Sequence, residues 1–303
     1  MMSGRFRTVA RSILSAVSPV LLVVPLLAGT PTPHADLRDK LPPHLSGIAR
    51  DNQPSPTIAV PEGWFLMGTN RKDDEPYAME TQYDNTELPQ HRVWLDAYRI
   101  DRDEVSIGEY LSFLLSEGRP VSVEMQKLLW HVISVHLMPD AALARWPALY
   151  VTWNEASDFC HSRGKRLPTE AEWEKAARGP DANLFPWGSK DPAPGLAVFG
   201  QYHVHEIPLV AAVDSGEDGQ STYGIRHLSG NVAEWVEDWF GFDYYAVTPE
   251  RNPPGPSTGR YKVVRGGSWK SKPNMLRAAT RGGASADQRA PTVGFRCAAT
   301  TVR

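Results

Sequence analysis

Cys160 and Cys297 are the only thiol side chains among the 303 residues of this chain. Thiols can bind soft metals and take part in covalent chemistry, so their number and placement limit what the protein can do. The two cysteines are far apart in the sequence. In an oxidising compartment such a pair forms a disulfide more often than it stays reduced. The alternative is a pair of separately buried thiols.

Other chemistry-bearing patterns are weak. The sequence contains no phosphate-binding loop, no dinucleotide fingerprint and no spacing typical of zinc ligands. His203 and His205 alternate, as two residues on one face of a strand do, but no third ligand for a transition metal is in view. The sequence patterns therefore identify no evident catalytic site.

The N-terminal residues have the pattern of an export signal. Three arginines precede an apolar run over residues 13–28, and small and turn-forming residues follow it. This run is shorter than the roughly 20 residues that a membrane span needs. Residues 1–35 are therefore predicted to be a signal peptide, with a signal anchor as the alternative. The protein is expected to be exported, either to the periplasm or to the extracellular space.

The charge balance argues against nucleic-acid binding. Without residues 1–35 the chain keeps 29 basic and 35 acidic residues. No run of lysines and arginines offers a track for phosphates. Contact with a membrane is expected only if the leader stays uncleaved.

The remaining chain is predicted to form one domain. Residues 36–56 are rich in proline, serine and charge without periodicity, so they are predicted to be a linker to a domain over residues 57–303. An apolar strand is predicted at residues 64–68, followed by an acidic and polar loop over residues 70–90. Alternating apolar residues predict a half-buried strand over residues 91–100.

Three helix starts carry a capping box, in which a serine or threonine is followed three residues later by glutamate. The pairs are Ser106 with Glu109, Thr152 with Glu155, and Thr169 with Glu172. The second of these helices is predicted to end at Gly164 and the third at Gly179. An apolar stretch over residues 121–137 predicts an additional helix.

Several longer motifs carry a resemblance to a known family. They are L-M-G-T at residues 66–69, D-E-V-S-I-G-E-Y at 103–110, G-K-R-L-P-T-E-A-E-W-E at 164–174, S-G-N-V-A-E-W at 229–235, V-V-R-G-G-S-W at 263–269 and V-G-F-R-C at 293–297. With these motifs the chain resembles the formylglycine-generating-enzyme (sulfatase-modifying factor) domain family over residues 60–298. The resemblance implies an α+β fold, a variant of the C-type-lectin-like fold with little regular secondary structure.

The resemblance lacks one feature of the catalytic members, which hold copper with two cysteines shortly after the G-G-S motif. In this chain residues 269–276 contain no cysteine. The first copper position falls at Ser271, and the nearest candidates for the second are Pro273 and Leu276. Serine is a hard, neutral side chain that binds soft metals poorly. Copper at the family site is therefore not expected, nor is the formylglycine formation that depends on it.

The rest of the family's pocket is retained. By resemblance, its candidate residues are Arg265, Ser268, Trp269, Ser271, Arg277 and Arg281. One interpretation is a groove that holds an extended peptide or a small ligand. The other is that R-G-G-S-W and G-F-R-C are signatures of the fold, buried for packing and hydrogen bonding.

The resemblance also implies a calcium site and a disulfide. Family members bind calcium around the G-N-x-x-E-W loop, which corresponds here to the carbonyls of Gly230 and Val232 and the side chain of Glu234. Calcium prefers about six to eight oxygens, so further ligands are needed. Some members also join the positions of Cys160 and Cys297 by a structural disulfide.

Two functions remain open at this stage. The first is a periplasmic maturation or tailoring factor that acts on a peptide, protein or small-molecule substrate, and that is of the oxidoreductase type if it is an enzyme. Relatives without the cysteine pair include a factor in pyoverdine maturation and accessory proteins of nitrite reductases. The second function is a non-catalytic module that binds a ligand or a partner on the same fold.

Overall fold

A computed structural model describes residues 45–49, 54–70, 84–134, 138–201 and 207–301. The predicted signal peptide and most of the predicted linker lie outside these residues, as do His203 and His205. Among the described residues, no helix is both long enough and apolar enough to cross a membrane. The domain boundaries at residues 35 and 56 stay predictions.

The strands of the described residues form three small sheets. The strands are β1 (Thr57–Val60), β2 (Gly63–Met67), β3 (His91–Leu95), β4 (Tyr98–Asp101), β5 (Ala233–Trp239), β6 (Lys262–Arg265), β7 (Arg281–Ala284), β8 (Val293–Phe295) and β9 (Ala298–Thr300). The strand orders are β1-β4-β9, β2-β3 and β7-β6-β5-β8. Strands β5 and β8 run parallel, and the other paired strands are antiparallel.

Short helices pack around these sheets. They are α1 (Leu45–Ile48), α2 (Ile107–Ser116), α3 (Val123–Ser134), α4 (Asp140–Ala144), α5 (Trp153–Ser162) and α6 (Glu170–Arg178). Much of the remaining described chain forms turns and irregular segments. The predicted α+β fold with little regular secondary structure is confirmed.

The three predicted capping boxes are all present. At each helix start the hydroxyl accepts a hydrogen bond from the backbone N–H three residues on, and the glutamate accepts one from the backbone N–H of the cap. In α6 the Thr169 N–H donates to Glu172 Oε2 at 2.8 Å. Gly179 ends this helix with φ of 67°, a conformation that glycine adopts without a steric cost.

The single strand predicted over residues 91–100 is wrong, because two strands occupy this range. Asp96 and Ala97 separate β3 from β4. Strand β3 pairs with β2, whereas β4 pairs with β1 and β9. The buried positions change phase at the break, from Val93 and Leu95 in β3 to Tyr98 and Ile100 in β4, and all four side chains belong to the same hydrophobic cluster.

Two other predictions overlap the described residues only in part. The range predicted as linker contains α1, whose Ile48 is fully buried in the core. The additional helix predicted over residues 121–137 is α3, which buries Met125, Leu129 and Val132. Residues 135–137 lie outside the described part of the chain.

Two hydrophobic clusters make up the core. The first joins α2, α3 and α5 to β5 and β8, and Tyr110, Phe159 and Phe295 make ring contacts within it. The second packs α6, through Trp173, against the inward faces of β2, β3 and β4. Burial of each large apolar side chain contributes about 1.5–3 kcal/mol to the free energy of unfolding. The two clusters therefore stabilise the positions of the irregular segments that connect the helices and strands.

The Cys160–Cys297 disulfide is confirmed. It joins α5 to the residues between β8 and β9, with the two Cα atoms 5.5 Å apart. Both cysteines are buried. The bond therefore fixes α5 against the last two strands.

Candidate functional site

The predicted first copper position holds a hydroxyl that faces the protein interior. Ser271 is only 8% exposed, and its Oγ accepts a hydrogen bond from the Ser268 N–H at 2.9 Å. The Lys270 N–H donates to the Ser268 hydroxyl at 3.3 Å. Gly267 adopts φ of 70° just before this turn, and a Cβ there would lie 2.9 Å from the Met275 carbonyl oxygen. Ser271 thus stabilises the turn from inside.

The backbone of this turn is also paired with a distant segment. The carbonyls of Trp269 and Ser271 accept hydrogen bonds from the N–H groups of Gln201 and Gly200, both at 3.0 Å. Trp269 itself is 1% exposed, and its indole N–H donates to the Pro291 carbonyl at 2.9 Å. The turn is therefore fixed on both sides, and its tryptophan forms part of the core.

Arg265, a predicted pocket residue, is fully enclosed. Its Nη2 donates to Glu174 Oε2 at 2.6 Å. The same guanidinium donates to the backbone carbonyls of Ala278, Ala279 and Thr280. This arginine ties α6 to the segment before β7 and presents no donor to the surface.

Arg277 and Arg281 are held in the same way. Arg277 donates to both carboxylate oxygens of Glu87, at 2.7 and 2.9 Å. Arg281 donates to both oxygens of Glu170, at 2.6 and 2.8 Å, and to the Thr86 carbonyl at 2.7 Å. These contacts agree with the interpretation that the arginines are signatures of the fold. Sequence reasoning missed the partner acids because they lie more than 100 residues away.

The predicted calcium ligand Glu234 is buried against Arg296. Arg296 donates from Nε and Nη2 to the two Glu234 oxygens, at 2.7 and 2.6 Å, and the Trp173 indole N–H donates at 2.8 Å. A second carboxylate, Glu104, accepts from Asn231 Nδ2 at 2.6 Å. Burial, followed by the charge of Glu234, raises the pKa of Glu104 well above its ordinary value. One guanidinium therefore neutralises Glu234, and burial beside that carboxylate favours the protonated form of Glu104.

These contacts fit calcium poorly. Both Glu234 oxygens already accept charge-assisted hydrogen bonds, so a calcium ion would have to share the carboxylate with a guanidinium. By the family resemblance, His227 stands at a position that is frequently Asn or Asp, so the oxygen of that side chain is missing here. Burial, followed by the charge of Arg296, lowers the pKa of His227 to about 4. With Gly230 and Val232, the predicted set falls short of the about six to eight oxygens that calcium prefers. Calcium bound by Gly230, Val232 and Glu234 therefore stays an untested prediction of the family resemblance, and the contacts of Glu234 argue against it.

Thiolate ligands for copper are not available. The chain contains two cysteines, and their sulfur atoms are bonded to each other. The hydroxyl of Ser271, at the predicted first copper position, accepts a hydrogen bond within the turn. The side chains present therefore do not fit the family's copper centre.

The sequence analysis also missed a buried acid pair behind the arginines. The Glu170 N–H donates to Asp238 Oδ2 at 2.7 Å. Burial, followed by the charge of Glu170, raises the pKa of Asp238 to about 8. Burial also favours protonation of Glu170, but the charges of Arg281 and Arg265 outweigh it and lower the Glu170 pKa. Both acids are almost completely buried, so neither is placed to contact a substrate.

A pocket lies between the residues that precede β1 and the start of α2. It has a volume of about 270 Å³, and its lining includes Arg102, Asp103 and Glu104. The exposed Arg145–Asp214 ion pair also lines it. Sequence reasoning could not find this pocket because its walls come from four separate segments.

Residues 255–259 read G-P-S-T-G and match the G-x-S-x-G pattern of serine hydrolases. Ser257 is exposed, and the chain continues from it into β6 instead of a helix. A nucleophile elbow needs a strand-turn-helix context, so this serine lacks the setting of a hydrolase nucleophile.

Comparison with known proteins gives consistent matches. Residues 45–301 match the family described as sulfatase-modifying factor enzyme 1-like domain. The formylglycine-generating enzyme of Mus musculus is 32% identical over 313 residues, which cover 86% of this chain and 80% of that enzyme. Hercynine oxygenase of Mycolicibacterium smegmatis is 31% identical over 276 residues, covering 82% of this chain and 61% of the oxygenase.

Solved structures show the same fold. The structure of PvdO from Pseudomonas aeruginosa superposes with a TM-score of 0.62 at 23% identity, covering 82% of this chain and 99% of PvdO. Treponema denticola variable protein 1 gives a TM-score of 0.59 at 21% identity, covering 81% of this chain and 95% of that protein.

Proposed function

This chain belongs to the sulfatase-modifying factor enzyme 1-like domain family, and we propose that it is an exported maturation or tailoring factor for a peptide or protein substrate in the periplasm. Relatives that match over most of the chain are named for two different tailoring reactions, formylglycine generation and hercynine oxygenation. The proposal adds that this chain works without the copper-cysteine centre.

Two observations support export. Residues 1–35 have the arginine-rich start and short apolar run of a signal peptide. The Cys160–Cys297 disulfide suits an oxidising compartment, where such bonds persist. Fractionation of cells that express the full chain tests this point. Recovery of the mature chain in the periplasm or the medium supports export, and a cytoplasmic protein with its leader intact contradicts it.

The use of both cysteines in one disulfide is the observation that carries the second part of the proposal. The family's copper chemistry needs a thiolate pair, and this chain has no thiol left over. A cysteine-containing sulfatase peptide, incubated with the protein and copper, should therefore gain no aldehyde. The mouse formylglycine-generating enzyme is the positive control. Aldehyde formation by this chain at a comparable rate would contradict the proposal.

Tailoring itself is tested on the exported proteins of the source cells. Their peptide masses are compared between cells that contain the chain and cells that lack it. A mass change that depends on the chain, and that the purified protein reproduces on the isolated substrate, supports a tailoring enzyme. Identical masses in both samples contradict it.

The second candidate is a non-catalytic binding module on the same fold. The internal pairing of Arg265, Arg277 and Arg281 favours it, because these three guanidinium groups are bound to buried acids and stabilise the fold. A binding module should bind its ligand without changing the mass of the ligand. The concentration of dissolved oxygen in the sample should also stay constant. Oxygen consumption that depends on the ligand would contradict this candidate.

A further inference from the structure

A basic stretch of sequence surrounds the turn after G-G-S. Residues 251–286 contain eight lysines and arginines and no acidic residue. Acids from other parts of the chain must therefore neutralise these cations, or the cations remain available to a ligand. The ion pairs of the described residues distinguish the two cases.

Four of the eight cations are paired with acids of the protein itself. Arg251, Arg265, Arg277 and Arg281 each form an ion pair with an acid from a distant segment, and only the pair of Arg251 is exposed. Lys262 is buried between the rings of Trp153 and Trp239, 3.7 and 4.1 Å from their centroids. The four buried cations are not available to an external ligand, and Arg251 is held at the surface by Asp96.

Arg260, Lys270 and Lys272 are the three cations that remain. Arg260 is exposed, its Cζ lies 5.2 Å from the Tyr261 ring centroid, and it is ten residues from Lys270 in the sequence.

Lys270 and Lys272 lie together in one turn. In the described part of the chain, no carboxylate forms an ion pair with either lysine. Lys272 is exposed, while Lys270 is partly exposed with its Nζ 4.9 Å from the Trp269 ring centroid. Met275, which is 40% exposed, adds an apolar side chain to the same turn. We call residues 270–275 the lysine turn.

The lysine turn is rigid enough to act as a recognition surface. Ser271 Oγ and the Ser268 N–H close its start, and the Met275 N–H donates to the Lys272 carbonyl at 3.0 Å. The Gly200 N–H holds the Ser271 carbonyl from the other side. A ligand therefore meets two cations and one apolar side chain on a prearranged backbone, which lowers the entropy cost of binding.

We propose that the lysine turn is a docking surface for an acidic segment of the partner peptide or protein. The proposal rests on the proposed function and names the charge of the substrate. Carboxylates complement Lys270 and Lys272, and an apolar side chain between them covers Met275. The excess of acidic residues in the rest of the chain does not prevent an acidic segment from docking here, because charges more than about 8 Å away are screened at physiological salt.

Fluorescence anisotropy tests the proposal with three labelled peptides. The acidic probe is Glu-Leu-Glu-Glu-Leu-Glu, and matched probes carry Gln or Lys in place of every Glu. Two exposed ion pairs together account for roughly a tenfold gain in affinity, so the acidic probe should bind about ten times more tightly than the Gln probe and lose this gain at high salt. Equal binding of the acidic and Gln probes overturns the proposal.

Variants locate the binding surface. Lys270→Glu with Lys272→Glu should remove the preference for the acidic probe, and the milder Lys270→Gln with Lys272→Gln should reduce it. The matched control is Lys127→Glu, an exposed lysine on α3, which should bind like the wild type. Unchanged melting temperatures exclude misfolding. Equal weakening by the control overturns the proposal.

Two further results distinguish a wrong class of ligand from a wrong docking surface. A single-stranded oligonucleotide of equal charge should bind more weakly than the acidic probe, and equal binding overturns the assignment to a peptide. If no probe binds but exported proteins still change mass in the presence of the chain, the docking surface is wrong and the tailoring role stands.

Discussion

The Ser271 hydroxyl oxygen accepts a hydrogen bond from the Ser268 N–H, at the position where the family resemblance puts a copper ligand. The residue is therefore part of the turn's own hydrogen bonding. A hydroxyl at this position stabilises the backbone of the turn and supplies no soft donor for copper. Ser271 is therefore a structural residue, and the exposed side chains of the turn are the ones that can meet a ligand.

The disulfide prediction concerns the free energy of unfolding. Replacing Cys160 with Ala should lower it by about 2–5 kcal/mol, because the bond closes a long loop in the unfolded chain. Urea unfolding measures the loss, and non-reducing mass spectrometry should find the wild type two hydrogens lighter than its reduced form. In the control, Cys160→Ala with Cys297→Ala, a reductant should have no effect. A wild type with two free thiols would contradict the bond.

The Arg296–Glu234 pair gives a second stability prediction. Arg296→Ala leaves Glu234 buried without a cation beside Glu104, and breaking a buried pair in this way costs about 3–5 kcal/mol. Removing an exposed pair with Arg119→Ala, which frees Asp158, should cost about 0–1 kcal/mol. Urea unfolding of both variants checks the contrast. Equal losses would show that the Arg296 contacts are not those of a buried pair.

Asp238 gives a prediction for the dependence of stability on pH. Its pKa is raised to about 8 in the folded protein, against an ordinary value of 3.8, so the folded state binds this proton more tightly than the unfolded state. Its contribution is complete below about pH 4 and is lost as the pH rises through about 8. The Asp238→Asn variant should therefore lose less stability than the wild type between pH 5 and pH 9. Parallel profiles of melting temperature against pH would contradict the shift.

Calcium removal is the fourth prediction. Since Arg296 already occupies both Glu234 oxygens, a chelator should leave the melting temperature unchanged, and added calcium should not raise it. Differential scanning fluorimetry measures both effects. A fall with chelator that calcium reverses, and magnesium does not, would restore Gly230, Val232 and Glu234 as calcium ligands.

Local signals in the sequence predicted the local elements well. Ser106, Thr152 and Thr169 were identified as caps because each capping box is complete within four residues. The break at Asp96 was missed because Val93, Leu95 and Ala97 continue the alternation of apolar residue types past it, although burial changes phase there and the chain moves from one sheet to another. Residue periodicity reports burial, and it does not report which strand is the partner.

The chemistry of the candidate site could not be predicted from the sequence. The motifs predict Arg277 and Arg281 as pocket residues, yet both are buried against Glu87 and Glu170, which are 190 and 111 residues away in the sequence. An arginine that is exposed and one that is buried in an ion pair look the same in a single sequence. Only the packing shows that these arginines are internal and that Lys270 and Lys272 are not.

Strands β8 and β9 follow each other but belong to different sheets, and only Arg296 and Cys297 lie between them. The Arg296 guanidinium is bonded to Glu234 and to the carbonyls of Asp101 and Arg102, while Cys297 is bonded covalently to α5. A hinge at this joint would have to break all of these bonds. The two sheets are therefore fixed to each other at this joint and do not separate to admit a ligand. Any adjustment to a ligand is therefore left to surface side chains and to turns outside this joint.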